Sequence, residues 1–229
     1  MDGLREERRE RLRAARLQLL FTPALCPGDP LEVLQAVLPW IGAIQVRVPH
    51  PEGASRATPA RELFDWTERV LELLRARPDP PLVLVNDRVD VAACLEAQGV
   101  AGVHLGEDDT PPEVARRSLS ASAVVGVSTH SPAAVARRSV EPAVDYLGFG
   151  PIHPTSTKGY ARGLGSAAAW MAQAATSLPV FPIGGIDLTN AGDLSQVGRA
   201  AVCSAILRAD DPAGVARSLY DLLAPDERP

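Results

Sequence analysis

AVVGVSTHSPAAVARR, residues 123–138, sets the reading of the whole chain. Its first part, AVVGVS at 123–128, is a short β-branched run with no polar face, the pattern of a strand covered on both sides. Its last part, SPAAVARR at 131–138, opens with Ser131 in the N-cap position and Pro132 as first helical residue, followed by good helix formers. The stretch is one strand-then-helix unit.

Similar units recur on either side of it. Toward the N-terminus, GVHLG (102–106) leads to Thr110-Pro111-Pro112-Glu113, whose spacing is that of a capping box with Thr110 as the cap. Before it, PLVLVN (81–86) precedes DVAACLEAQ, IGAIQVRV (41–48) precedes a helical pattern over 59–77, and LQLLFTPA (17–24) precedes a turn at Pro27–Pro30 and a helix over 31–38. Toward the C-terminus, Tyr146, Leu147 and Phe149 form a strand whose helix begins near Gly165. PVFPIGG (179–185) precedes DLTNAGDLSQVG, and AAVCSAI (200–206) precedes a helix announced by Asp211-Pro212. Eight units of this kind predict an α/β protein, a single closed (β/α)8 TIM barrel over 17–229. An open doubly wound sheet is the alternative. Residues 1–16, rich in Arg and Glu with Leu4 and Leu12 among them, read as a charged helical extension outside the core.

Composition narrows the function. A net charge of −5 and 4% aromatic residues argue against a nucleic-acid surface. Cys26, Cys94 and Cys203 have neither metal-ligand spacing nor an even count for a disulfide framework. The first seventeen residues contain no apolar leader, so a cytoplasmic protein acting on small molecules is expected, with no membrane partner and a homo-oligomer open to it.

In a barrel of this kind the loops after the strands form the functional mouth. All four histidines, His50, His104, His130 and His153, follow or end strands. Asn86-Asp87 ends the third strand and Glu107-Asp108-Asp109 follows the fourth, placing carboxylates on adjacent loops where a magnesium ion shared with substrate phosphates would bind; helix capping would account for the same acids. DYLGFGPIHPTSTKG (145–159) runs from a strand into hydroxyls beside Lys158, the single lysine among 23 basic residues. Hydroxyls, backbone N–H groups and one compact ammonium suit a phosphate or pyrophosphate. Gly184-Gly185 and Ser204-Ala205, at strand ends seven and eight, stand where barrels often hold a phosphate.

Taken in order, QVR near 45, VNDRVDVA near 85, GVHLGEDD near 102, GVSTHS near 126, DYLGFGPIHPTSTK near 145, PIGGI near 182 and VCSAI near 202 resemble thiamine-phosphate synthases and the related thiazole tautomerases. The resemblance implies a transferase that joins hydroxymethylpyrimidine pyrophosphate to a thiazole phosphate in thiamine biosynthesis and releases pyrophosphate. It implies Mg2+ held by Asp87 and Asp109, and a pyrophosphate gripped by Arg47, Asn86, Ser128 and Lys158. Gln45 would face the pyrimidine, Thr155 and Thr157 would shape the loop around the thiazole, and Gly185 and the Ser204 backbone would hold its phosphate. His104 is read as structural.

The chain departs from the synthase pattern at Pro49, where a lysine is usual, with His50 or Arg56 as the candidate replacements for its charge, and at Glu107 and His153. Two rival readings follow. His130 matches the position of a tautomerase proton shuttle, and Pro49 is compatible with a non-enzymatic barrel that senses thiazole or thiamine phosphate.

Overall fold

The computed structural model describes residues 2–48, 59–154 and 162–224. Eight strands, β1 (Leu17–Phe21), β2 (Ala43–Val46), β3 (Leu82–Asn86), β4 (Val100–Leu105), β5 (Val124–Thr129), β6 (Tyr146–Phe149), β7 (Val180–Pro182) and β8 (Ala200–Val202), form one parallel sheet. Its order, β7-β6-β5-β4-β3-β2-β1-β8, is that of a barrel opened at one seam, and a parallel bridge between Ile183 and Ala201 closes that seam. The helices are α1 (Asp2–Ala14), α2 (Pro30–Val37), α3 (Ala60–Leu74), α4 (Val89–Leu95), α5 (Pro112–Ser118), α6 (Pro132–Arg138), α7 (Ser166–Ala174), α8 (Ser204–Leu207) and α9 (Pro212–Leu222).

The strands are apolar on both faces because each face meets a different core. Leu19, Phe21, Ile44, Val46, Val83, Val85, Val103, Val125, Leu147 and Phe149 point outward into the layer beneath the helices. Their alternate neighbours, among them Leu20, Ala43, Leu84, Val124, Tyr146, Phe181 and Ala201, fill the barrel interior. Strand glycines make room there: a Cβ on Gly126 would lie 2.0 Å from Cζ of Tyr146, and one on Gly148 would lie 3.0 Å from Cε1 of His104.

Several caps stand where the sequence puts them. Ser131 Oγ accepts from the Ala134 N–H at 3.1 Å, Asp211 Oδ1 from Gly214 at 2.9 Å and Asp29 Oδ1 from Leu31 at 2.8 Å. Thr110 does not cap α5. That helix starts one residue later, with Pro111 at the N-cap and no side-chain bond, because Pro112 pushes the residue before it out of the helical region, to ψ 141° at Pro111. The seventh unit also differs, since β7 is followed only by a 3₁₀ turn at Ala191–Leu194. Asp187 Oδ1 accepts from the N–H and hydroxyl of Thr189, and Asn190 Oδ1 accepts from the Asp187 N–H, so local side-chain bonds compete with a helix there.

The charged lead-in does not lie outside the core. Leu12 is fully buried in the inner cluster, and α1 closes the barrel at the N-terminal ends of the strands. Arg8 Nη1 donates to the carbonyls of Ser122 at 2.8 Å and Ala101 at 3.2 Å, and Arg11 donates to Pro80. Asp145, also fully buried, accepts from Arg5 Nε at 2.9 Å, Arg9 Nε at 2.6 Å, Arg116, and the Val125 N–H at 2.7 Å. The arginines that make α1 look like a solvated helix are therefore bonded to the barrel floor.

Candidate active site

At the other end, the barrel interior becomes polar toward the mouth. Gln45, Asn86 and His104 are buried at or near the ends of β2, β3 and β4, and Ser128 is half-buried near the end of β5. His104 Nε2 lies 3.1 Å from Ser128 Oγ and its Nδ1 lies 3.0 Å from the Tyr146 hydroxyl. Gln18 Nε2 donates to the same hydroxyl at 3.4 Å, and the Gln45 amide is near enough to favour its ionised form. Burial pushes the Tyr146 phenol far above its ordinary range, so it stays neutral although both amides pull the other way. Ser128 is thus brought into one chain with His104, Tyr146 and Gln18, and Gln45 faces the same phenol.

Tyr146 and Gln18 were missed as site residues in the sequence. The available signal was glycine inside apolar strands, at Gly126 and Gly148, which marks where a large interior side chain from a neighbouring strand fits.

His130 follows β5. Its Nδ1 lies 2.5 Å from the Gly150 carbonyl, which can only accept, so Nδ1 carries a proton and Nε2 is the basic nitrogen of the neutral ring. Arg47 follows β2 and is half-buried. Burial raises the Cys203 thiol, opposed by a hydrogen bond with Thr22 and by the positive charges of Arg47 and Arg208. Two cations therefore bring their fields to the mouth near β8, one of them, Arg208, not singled out in the sequence.

Asp87 directly follows β3 in the left-handed conformation at φ 63°, unlike any other described non-glycine residue, and its N–H donates to the His104 carbonyl at 2.8 Å. Asp109, in the loop after β4, accepts the Gly106 N–H on Oδ2 at 2.6 Å. The described residues hold no cluster of three or more His, Cys, Asp or Glu side chains suited to a metal.

After β6, Ile152 and His153 donate to the carbonyls of Ile183 and Gly184 at 2.9 and 3.0 Å. Leu164 and Gly165 return to Pro151 and Ile152 at 2.8 and 2.9 Å. Both flanks of 155–161 are thereby fixed beside β7. Thr155, Thr157 and Lys158 lie outside the described residues, as do Pro49, His50 and Arg56. Gly185, at φ 63°, has a packing reason of its own, because a Cβ there would stand 2.7 Å from the Pro154 carbonyl. Ser204 opens the single turn of α8 directly after β8.

The sequence pattern described as thiamine monophosphate synthase matches residues 17–206, from the start of β1 into α8. The chain belongs to the thiamine monophosphate synthase family. A thiamine-phosphate synthase of Prochlorococcus marinus (strain MIT 9313) is 36% identical over 223 residues, 95% of this chain and 60% of that protein. The chain thus spans about 60% of the length of the first such relatives. One from Salinispora tropica is 39% identical over 89% of this chain and 95% of its own length. Among solved structures, a thiamine phosphate pyrophosphorylase from Pyrococcus furiosus superposes with a TM-score of 0.75 at 28% identity, covering 93% of this chain and 97% of the other. A 3-hexulose-6-phosphate synthase, at 17% identity and a TM-score of 0.62, shares the fold. Family membership thus attaches to the complete ring of strand ends, since the matched span contains all eight.

Proposed function

We propose that this chain is a thiamine-phosphate synthase, a transferase that couples hydroxymethylpyrimidine pyrophosphate to thiazole phosphate. The observation that carries this reading is the family match from residue 17 to 206, which takes in every strand end that builds the mouth. In the reaction the bond from the pyrimidine methylene carbon to the pyrophosphate oxygen breaks, and the thiazole nitrogen forms the new C–N bond. No strong base is needed. The residues have to stabilise a departing anion and align two flat rings.

Lys158, Arg47, Ser128 and Asn86 are the groups we assign to the pyrophosphate, as charge and hydrogen-bond donors. Gln45 positions the pyrimidine from inside the barrel, and the loop bearing Thr155 and Thr157 covers the thiazole. Gly185 and the Ser204 backbone, at the adjoining ends of β7 and β8, are assigned to its phosphate. Asp87 and Asp109 are the residues we assign to Mg2+: they offer hard oxygen donors after the adjoining strands β3 and β4, and such an ion would take its remaining ligands from water and phosphate. When bound it would neutralise charge on the leaving pyrophosphate. Among the described residues no helix is long and apolar enough to cross a membrane.

His130 is compatible with a proton-shuttle reading, but the relatives reported above all carry the synthase name, which supports the first assignment. The decisive test mixes the purified chain with both substrates and magnesium and follows pyrophosphate and thiamine phosphate together. Equal release of the two is expected; thiazole isomerisation without either product would replace this reading by the tautomerase.

A further inference from the structure

The buried chain of side chains behind Ser128 has a direction that the reaction does not by itself require. At the Gln18 contact the amide nitrogen can only donate, so the Tyr146 oxygen accepts there. Tyr146 is fully buried, so its hydroxyl hydrogen has to reach an acceptor inside the protein. Gln18 Nε2 cannot accept it, whereas His104 Nδ1, at 3.0 Å, can. An Nδ1 that receives a hydrogen carries none, so the ring N–H sits on Nε2, which then donates to Ser128 Oγ at 3.1 Å.

We propose that Tyr146 and His104 are positioning residues whose one-way hydrogen-bond chain fixes Ser128 as a donor toward a phosphate or pyrophosphate oxygen in the mouth. The anion's identity rests on the function proposed above; the direction of the chain does not. The opposite direction would give a different machine. With Nδ1–H donating to Tyr146, His104 Nε2 would accept the Ser128 hydrogen, making a nucleophile–base pair with the tyrosine as its orienting group. The same three side chains support either chemistry, and only the position of one proton separates them.

That proton is directly readable. Imidazole nitrogen shifts of the full chain labelled with 15N-histidine should show His104 as the Nε2–H tautomer, its signals identified by their loss in His104→Gln. In Tyr146→Phe, which keeps the ring packed edge-on against Phe181 at 5.9 Å, the bias should relax toward a mixture of tautomers. Binding of inorganic pyrophosphate with Mg2+, measured by calorimetry, gives a second readout. His104→Asn carries no N–H near the Nε2 position and should weaken it by about tenfold, the worth of one hydrogen bond to a charged group. His104→Gln places an amide N–H there and should restore most of that loss. An Nδ1–H tautomer in the native chain, or equal weakening in the Asn and Gln variants, overturns the proposal. Because the tautomer is read without turnover, a chain that makes no thiamine phosphate would sink the proposed function while leaving this inference standing.

Discussion

At the floor of the barrel the carboxylate of Asp145 is completely buried, and its hydrogen bonds come from within the chain, from Arg5, Arg9, Arg116 and the Val125 amide. At the mouth, Asp109 and Asp87 are only half-buried, and Asp109 keeps one oxygen for something other than the Gly106 N–H. Two kinds of aspartate thus sit at opposite ends of the same strands. The floor consumes its polar capacity in holding α1, whereas Asp109 spends one oxygen on its own loop, so the same residue type is structural at one end and, on the proposed function, chemical at the other.

Substitutions at the two ends should therefore separate turnover from stability. The largest effect is expected at the mouth: Asp87→Asn and Asp109→Asn should each abolish magnesium-dependent turnover with the denaturant midpoint nearly unchanged, since Asn keeps an oxygen for the Gly106 bond. Undiminished turnover in excess chelator would remove the metal assignment. Next, Asp145→Ala should cost about 3–5 kcal/mol in urea unfolding, because three arginines lose a buried partner. A cost below about 1 kcal/mol would mean that the floor is held by apolar packing alone.

Lys158→Ala is expected to lower kcat by about 10²–10³, with Lys158→Arg recovering part of it, since the pyrophosphate gains charge as it leaves. Single-turnover rates decide this, and a change confined to KM would make the lysine an anchor for substrate. The smallest effect belongs between the two ends. Ser131→Ala removes the cap of α6 and should cost about 1 kcal/mol by thermal unfolding, with the chemical step unaltered.

How much of this was legible in the sequence depended on distance along the chain. β5 and α6 could be read directly, because apolar run, cap and first-turn proline lie within sixteen residues. The mouth was legible for a related reason, as barrel topology carries each strand's C-terminal end to one rim. The docking of α1 was not. Its apolar face looks narrow, and the fact that its arginines meet Asp145 and the carbonyls of Pro80, Ala101 and Ser122 is a property of the closed barrel. Thr110 and the seventh helix misled through local chemistry, where two prolines and an Asp-Asn pair overrode the periodic pattern. The link of His104 to Tyr146 spans 42 residues and becomes visible only when β4, β5 and β6 are paired.

The floor also has a schedule. Arg5 and Arg9 leave the ribosome well before Asp145, which follows them by 140 and 136 residues. At translation speeds of about 5–20 residues per second, α1 waits on the order of ten seconds for the carboxylate that will hold it. During that interval its basic side chains and Leu12 have no barrel to dock on, so sealing of the floor has to come after the sixth strand emerges. Nascent chains stalled before and after residue 145 would differ in whether α1 is accessible to a protease.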